Sequence, residues 1–212
     1  MALGDEYDAH HKIRYHRGMD AKPCRRELTH QRIVDTAARA IRRAGYQGVG
    51  VADIMKEAGL THGGFYAHFA SRNALLVEAL EHAGQDGLAH MKRSMAARRA
   101  AGASDFRALV EAYLSEAHLT GAEHGCPVAA LCSEMPRQAP EVREASAQRV
   151  QGMVKLVKKT LPSSAAADSA MVIASTMVGA LQLARALGDT AQGKALLKAN
   201  RQSLLSQYDQ AG

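Results

Sequence analysis

Cysteine, proline and aromatic residues are scarce in this chain of 212 residues, and tryptophan is absent. The three cysteines cannot form a disulfide framework, and their odd number is typical of reduced thiols in a cytoplasmic protein. With only 5 prolines and an abundance of Ala, Leu, Val and Met, the composition favours helices over a turn-rich β fold. Because no stretch alternates between apolar and polar residues, we predict an all-α protein.

The sequence also lacks the apolar segments that direct a chain to a membrane. The N-terminal residues carry no apolar core of a signal peptide. The most apolar stretch, residues 171–187, is interrupted by four polar residues: Ser175, Thr176, Gln182 and Arg185. We interpret it as too short and too polar to span a bilayer, and we expect a cytoplasmic protein without a membrane partner.

Positive charge is concentrated near the N-terminus. Between His10 and Gly45 there are ten lysines and arginines but three acidic residues, whereas the net charge of the whole chain is +6. Such a block indicates a polyanionic partner, for instance a nucleic acid. Residues 1–24 have no helical periodicity, and we interpret them as a flexible basic arm. In an alternative interpretation, Met19 is the true start and residues 1–18 are a mis-assigned leader.

Residues 51–69, VADIMKEAGLTHGGFYAHF, contain the most informative pattern of the chain. Gly59 can adopt the left-handed conformation that ends a helix, and the Thr61 hydroxyl can cap the next one. Phe65 and Phe69 lie one turn apart and can anchor the second helix. Apolar residues with a helical period precede them: Val51, Ile54, Met55 and Ala58. The pattern predicts two short helices joined by a tight turn, a unit that can place its second helix in the major groove of DNA.

Further helices are predicted from apolar periodicity on both sides of this unit. A basic helix at about 25–44 precedes it, and Ser71 caps a long helix at about 72–99 that follows it. The remaining predicted helices cover about 104–120, 127–135, 138–160, 165–187 and 191–208.

These elements together resemble the TetR family of bacterial transcriptional regulators. The resemblance covers residues 28–80 and rests on three features: a basic first helix ending in Gly45-Tyr46, the 51–69 motif, and Ser71-Arg72-Asn73. It implies an N-terminal three-helix helix-turn-helix DNA-binding domain, followed by a helical C-terminal ligand-binding and dimerisation domain. We therefore expect a basic arm at 1–24, the DNA-binding domain at 25–71 and the C-terminal domain at 72–212.

The resemblance also implies roles in binding double-stranded operator DNA. Residues 61–69 match the recognition helix of the family. Residues matching its phosphate contacts are Thr61, Tyr66, His68 and Arg72, and those matching its base contacts are His62, Gly63 and Gly64. Since glycine has no side chain, the two glycines favour close backbone approach and recognition of DNA shape over direct base reading.

A homodimeric repressor released by a small-molecule effector is the activity that the resemblance implies. The helices at about 165–187 and 191–208 would pair with those of a second subunit, through a stripe formed by Met171, Ala174, Val178 and Leu181. In the alternative interpretation this stripe faces the core of its own subunit. The candidate residues of an effector pocket are Met91, Met95, Phe106, Tyr113 and Met153.

Cys126 is the candidate sensor residue. Pro127 suits the first position of a helix, which makes Cys126 the N-cap, and the helix dipole together with a protonated His124 would favour the thiolate. The Gly-Cys step before a short helix is similar to one in electrophile- and oxidant-sensing members of the family. We hypothesise that Cys126 is a reactive sensor thiol; the alternative is an inert cysteine in the pocket wall.

Two further function classes stay open at this point, a helical thiol-dependent enzyme using Cys126 and a helical interaction module. Against an enzyme, the sequence has no recognisable Cys–His–acid arrangement and no phosphate-binding glycine loop. His and Cys residues between 118 and 132 also lack the spacing of a known metal site. We expect no catalysis, no cofactor and no bound metal.

Overall fold

The computed structural model describes residues 24–163 and 165–209, and these residues form helices and loops without a β-strand. The predicted basic arm therefore lies, except for Cys24, outside the described residues. Within these two ranges nine α-helices follow one another: α1 (Arg25–Ala44), α2 (Val51–Glu57), α3 (Arg72–Ala100), α4 (Asp105–Tyr113), α5 (Glu116–Thr120), α6 (Pro127–Leu131), α7 (Pro140–Lys158), α8 (Ser169–Leu187) and α9 (Ala191–Tyr208). The all-α fold predicted from the sequence is confirmed.

Helices α1 and α2 and a short 3₁₀ helix, His62–Ala67, form the predicted helix-turn-helix unit. Gly59 ends α2 with a φ of +69°, and the N–H of Leu60 donates to the carbonyl of Met55 at 2.8 Å. This pairing satisfies a carbonyl that the helix leaves free at its end. The second helix is a 3₁₀ helix, and Thr61 precedes it without capping it through its hydroxyl. The predicted Thr61 side-chain cap is therefore wrong, and that hydroxyl is exposed.

Helix α3 belongs to two hydrophobic cores. Its first half, Leu75–Ala83, packs with the helix-turn-helix unit, whereas Met91 and Met95 belong to the core of the following helices. The first core also includes residues from α6 to α7: Leu131, Met135 and Val142. A single helix thus connects the two cores, and helical segments from the second half of the chain pack directly on the first core.

The predicted helix at 104–120 is two helices, α4 and α5, which are separated at Leu114–Ser115. Ser115 starts α5 because its hydroxyl accepts a hydrogen bond from the N–H of His118 at 3.2 Å. The free carbonyl of Leu114 accepts from Arg201 of α9 at 3.0 Å. A long-range contact therefore stabilises a break that apolar periodicity does not reveal.

By length and composition, one helix of the described residues, α8, would be able to cross a membrane. It packs on α9, α7, α6 and α5, and its inner residues, among them Ile173, Met177 and Leu181, are fully buried. The packing is that of a core helix in a helical bundle.

Candidate nucleic-acid interface and effector cavity

The helix at 62–67 divides its side chains between the core and the surface. Phe65 is 1% and Phe69 3% exposed, and their rings stack with centroids 5.5 Å apart. Tyr66 is 71% exposed, and Thr61 and His62 are exposed beside it. The two phenylalanines therefore anchor the helix, while the phenol, hydroxyl and imidazole that the sequence assigned to DNA face outward.

Gly63 and Gly64 are not required by the packing of the protein itself. A Cβ at Gly63 would meet no atom within 4 Å, and one at Gly64 would lie 3.7 Å from Met55, an ordinary contact. Neither glycine has a positive φ. The missing side chains leave a flat outer surface on which another molecule can approach the backbone.

His68 lies at the edge of this surface and is half-buried. Its Nδ1 is buried without a hydrogen-bond partner among the described residues, and its ring lies 6.0 Å from that of His30. Burial lowers the pKa of His68, and the neighbouring His30 and Arg26 lower it further. His68 is therefore neutral at neutral pH, with Nε2 as the ring nitrogen left to contact a phosphate.

Arg72 does not extend freely toward a phosphate, as the sequence suggested. Its Nη2 donates to the carbonyl of Tyr46 and, at 3.5 Å, to that of Val49. Through these two bonds the Arg72 guanidinium satisfies carbonyls of the loop between α1 and α2. In this structure Arg72 holds that loop against α3, and any phosphate contact would use its remaining N–H groups.

A cavity of about 310 Å³ lies between α3, α7 and the loop that precedes α6. Four of the predicted pocket residues line it: Met91, Tyr113, Cys126 and Met153. Met95 and Phe106, the other two predicted pocket residues, do not line it. Both are buried in the second core, where the Phe106 ring lies 6.1 Å from that of Tyr208.

His118 connects Cys126 with the buried wall of the cavity. Its Nδ1 lies 2.8 Å from the Tyr113 carbonyl, and its Nε2 accepts a hydrogen bond from the backbone N–H of Cys126 at 3.0 Å. Burial lowers the pKa of His118 to about 4. The ring is therefore neutral, with the proton on Nδ1, and both nitrogens are used for backbone contacts.

The Tyr113 hydroxyl has no such partner. It is buried beside the Cys126 thiol and has no nitrogen or oxygen hydrogen-bond partner among the described residues, although the residue lines the cavity. Burial raises the pKa of Tyr113 well above its ordinary value, and the Cys126 thiol raises it further. The phenol thus remains protonated and can donate a hydrogen bond into the cavity.

The described residues contain no group of three His, Cys, Asp or Glu side chains placed to hold a metal. His118 is unavailable as a ligand because backbone groups occupy both of its nitrogens. Cys126 packs against the second core and Cys132 against the first.

Arg42 connects the helix-turn-helix unit with the cavity wall. Its side chain is 1% exposed and lies 3.0 Å from the carboxylate of Asp86 on α3. The same guanidinium donates to the carbonyl of Gly125 at 3.2 Å, next to Cys126. A Cβ at Gly87 of α3 would lie 3.1 Å from that carbonyl, so glycine permits the close approach. From the sequence, Arg42 is interpreted only as part of the basic block between His10 and Gly45. Its apolar neighbours Ala38 and Ile41 are the sequence signal that would have indicated burial.

Two further contacts support the same connection. Arg43 of α1 binds Glu57 at 2.8 Å and Glu123 at 3.1 Å. The backbone N–H of Tyr46 donates to Glu134 at 3.1 Å. The loops before and after α6 therefore contact both ends of the turn that follows α1.

Two family models match this chain. The N-terminal model, of bacterial regulatory proteins of the tetR family, covers residues 33–79. The C-terminal model, of the C-terminal domain of LmrA/YxaF-like transcriptional regulators, covers residues 102–202. The chain belongs to the TetR family.

Relatives and solved structures agree with this assignment. The chain is 28% identical over 170 residues to the HTH-type transcriptional regulator Rv0196 of Mycobacterium tuberculosis. This alignment covers 75% of this chain and 85% of that protein. A TetR transcriptional regulator from Chloroflexus aurantiacus superimposes with a TM-score of 0.68 at 21% identity, over 85% of this chain and 94% of that one. NemR of Escherichia coli in its reduced form gives a TM-score of 0.66 at 19% identity, over 84% of this chain and 96% of that one.

As a TetR-family member, the chain is a DNA-binding transcriptional regulator with a helix-turn-helix domain. Regulators of this family bind operator DNA as dimers and respond to small-molecule effectors.

Proposed function

We propose that this TetR-family protein is a homodimeric, cytoplasmic repressor that a small molecule, bound in the cavity between α3 and α7, releases from its operator. The observation that carries the proposal is the Arg42 guanidinium, which binds α3 and the cavity wall at once. Since occupation of the cavity and DNA binding use elements that share this contact, each can alter the affinity for the other. A coupling free energy of about 1–3 kcal/mol is typical of such linkage.

Operator binding is assigned to the exposed face of the 62–67 helix. Thr61, Tyr66 and His68 would contact phosphates, which position a protein on the duplex without reading its sequence. His62 and the backbone at Gly63 and Gly64 would meet the base edges. Arg72 would support these contacts chiefly by fixing the loop between α1 and α2.

Dimerisation is assigned to α8 and α9, through a face of α8 that includes Met171 of the predicted stripe but neither Ala174 nor Leu181. Ala174 and Leu181 are buried in the subunit's own core, as the alternative interpretation of the sequence held. Large apolar side chains instead remain uncovered on the outer face: Met171 and Val172, each 52% exposed, and Leu183, 60% exposed. An apolar helix face of this kind is typical of a subunit interface.

Cys126 offers a second trigger at the same cavity. Its sulfur lies near two guanidiniums, those of Arg42 and Arg185, and positive charge of this kind is a feature of reactive cysteines. The Cys126 sulfur would add to the β-carbon of an α,β-unsaturated carbonyl compound. The C=C π bond would break, the α-carbon would take a proton from water, and the thiol proton would leave to water. The adduct would then displace the Gly125 carbonyl from Arg42. NemR, solved in its reduced form, has the same fold.

Operator binding can be tested with selection of bound fragments from random-sequence DNA, followed by electrophoretic mobility shifts. We expect a preferred sequence, an affinity that falls steeply with salt, and about a tenfold loss for Tyr66→Phe and for His68→Ala. Lys198→Ala, an exposed substitution on α9, serves as the control. The proposal fails if no sequence is enriched or if the two variants bind like the wild type.

The thiol trigger can be tested in a variant that retains Cys126 alone, made by Cys24→Ser and Cys132→Ser. We expect iodoacetamide to alkylate Cys126 faster than free cysteine at the same pH, and the alkylated protein to release its operator fragment. The same protein with Cys126→Ser gives the background. Alkylation no faster than that of free cysteine would rule out a sensor thiol and leave the cavity as the site of a non-covalent effector.

A further inference from the structure

The wall of the cavity between α3 and α7 carries positive charge without any negative counterpart. Four cationic side chains line it. Arg149 and Lys155 lie on α7, Lys159 directly follows α7, and Lys92 lies on α3. No aspartate or glutamate occurs among the described residues that line it. None of these four cations forms an ion pair within the described chain, whereas Arg42 and Arg43 nearby are both paired.

The inner part of the cavity is apolar. Met91 and Met153 are buried on opposite walls, and Leu156 and Val128 complete the lining between them. A ligand that fits this cavity must place hydrocarbon or aromatic surface inside and keep its charge near the exposed lysines. The volume, about 310 Å³, is at the lower end of the roughly 300–1,000 Å³ typical of ligand pockets, which requires a compact molecule.

The Tyr113 hydroxyl lies beside the Cys126 thiol in the buried wall of the cavity. The residue is 1% exposed, so its phenol cannot donate to bulk water, and no nitrogen or oxygen of the described residues accepts its hydrogen bond. Because a thiol sulfur is a weak acceptor, a ligand oxygen that accepts from this hydroxyl would lower the free energy of the complex. His118 cannot serve as this acceptor because its ring nitrogens already bind backbone groups.

We propose that the effector of this cavity is a compact amphipathic anion: an apolar body with one acidic group, and a hydrogen-bond acceptor at its far end. The acidic group binds among Lys92, Arg149, Lys155 and Lys159, and the acceptor oxygen receives the hydrogen bond of Tyr113. Like charges lining a cleft attract an oppositely charged ligand and repel cationic ones. The proposal rests on the proposed function and names the class of molecule that would release the operator.

Isothermal titration calorimetry with three naphthalene probes tests this assignment in the full-length protein. We expect 2-naphthoate to bind at least tenfold more tightly than the neutral 2-naphthalenemethanol, and 6-hydroxy-2-naphthoate more tightly still. Lys155→Gln combined with Lys159→Gln should weaken naphthoate about tenfold and leave the alcohol unchanged. Lys158→Gln, on the same helix but outside the lining, is the matched control. Tyr113→Phe should remove the advantage of the hydroxylated probe.

The outcomes separate the ligand class from the proposed function. Equal affinity for the acid and the alcohol, or no measurable binding of either, overturns the anionic effector. An unchanged naphthoate affinity in the double lysine variant overturns the assignment of its acidic group to these cations. If naphthoate binds as expected but selected operator fragments stay bound, the ligand class stands and release by the cavity is refuted.

Discussion

At the scale of single residues, the two glycines of the 62–67 helix separate DNA binding from folding. Because a Cβ at Gly63 or Gly64 meets no close neighbour, we expect Gly63→Ala and Gly64→Ala to keep or slightly raise the stability of the protein, by up to about 1 kcal/mol. The added methyl groups would nevertheless hold the backbone away from the bases. We expect weaker operator binding in mobility shifts alongside unchanged urea unfolding.

Gly59 provides the matched control for these glycines. Its φ of +69° is costly for any residue with a Cβ, so Gly59→Ala should destabilise the protein by about 1–2 kcal/mol. If Gly63→Ala and Gly64→Ala instead lower stability as Gly59→Ala does, the glycines serve the fold and their role at the DNA surface is refuted.

His118 should make the stability of the protein depend on pH. The folded protein keeps this imidazole neutral down to its pKa of about 4, whereas the unfolded chain protonates it near 6.5. The unfolded state therefore binds more protons between these values, so stability falls as pH drops from about 6.5 to 4, by at most about 3 kcal/mol. Urea unfolding of the wild type and of His118→Gln, which can replace both hydrogen bonds, should show this slope in the wild type alone.

At the scale of helices, the connection between α1 and α3 depends on Arg42. Arg42→Met would leave the Gly125 and Ala83 carbonyls without their donor and Asp86 without its cation. We expect the free energy of unfolding to fall by about 2–3 kcal/mol. This is at the low end for a broken buried ion pair because Asp86 is 34% exposed. Arg43→Met, at a neighbouring exposed position, should cost less than about 1 kcal/mol. Equal losses in urea unfolding would contradict the buried role of Arg42.

The helices differ in how well the sequence predicts their bounds. Apolar periodicity predicts the bounds of α1 and α9, and Gly45 marks the end of α1 in the sequence. The structure adds a local cap at the start of α9, where the Thr190 hydroxyl accepts from the N–H of Gly193 at 3.1 Å. The break at Leu114 was missed because its stabilising partner, Arg201, lies far along the chain. A local pattern therefore predicts an element when its caps are local, and fails where a distant side chain decides the backbone.

The candidate sites also divide into features that local sequence predicts and features that distant residues decide. The outward positions of Tyr66 and His62 could be predicted because the motif fixes which side of the helix is apolar. The cavity could be predicted only in part, since Met91 and Met95 lie one turn apart on α3 and periodicity cannot tell a pocket wall from a core. The burial of Arg42 required the position of Gly125, 83 residues away.

At the scale of the whole molecule, two recognition helices must be held at a fixed spacing, because one helix reads only a few base pairs. We propose that the outer face of α8 does this. Val172 and Leu183 lie three turns apart on that face, and Gly179 between them would allow close helix approach, since a Cβ there meets no atom within 4 Å. A second copy of α8 would cover the exposed apolar side chains.

Two charges placed on this face should separate the subunits. We expect Val172→Glu combined with Leu183→Glu to change the mass in light scattering from twice 22.7 kDa to 22.7 kDa, because carboxylates cannot be buried there without partners. Operator affinity should fall with it, since each monomer then binds a half-site alone. Val150→Glu, at a position of α7 that is 41% exposed, controls for added charge. A double variant that stays dimeric would place the interface elsewhere on the molecule.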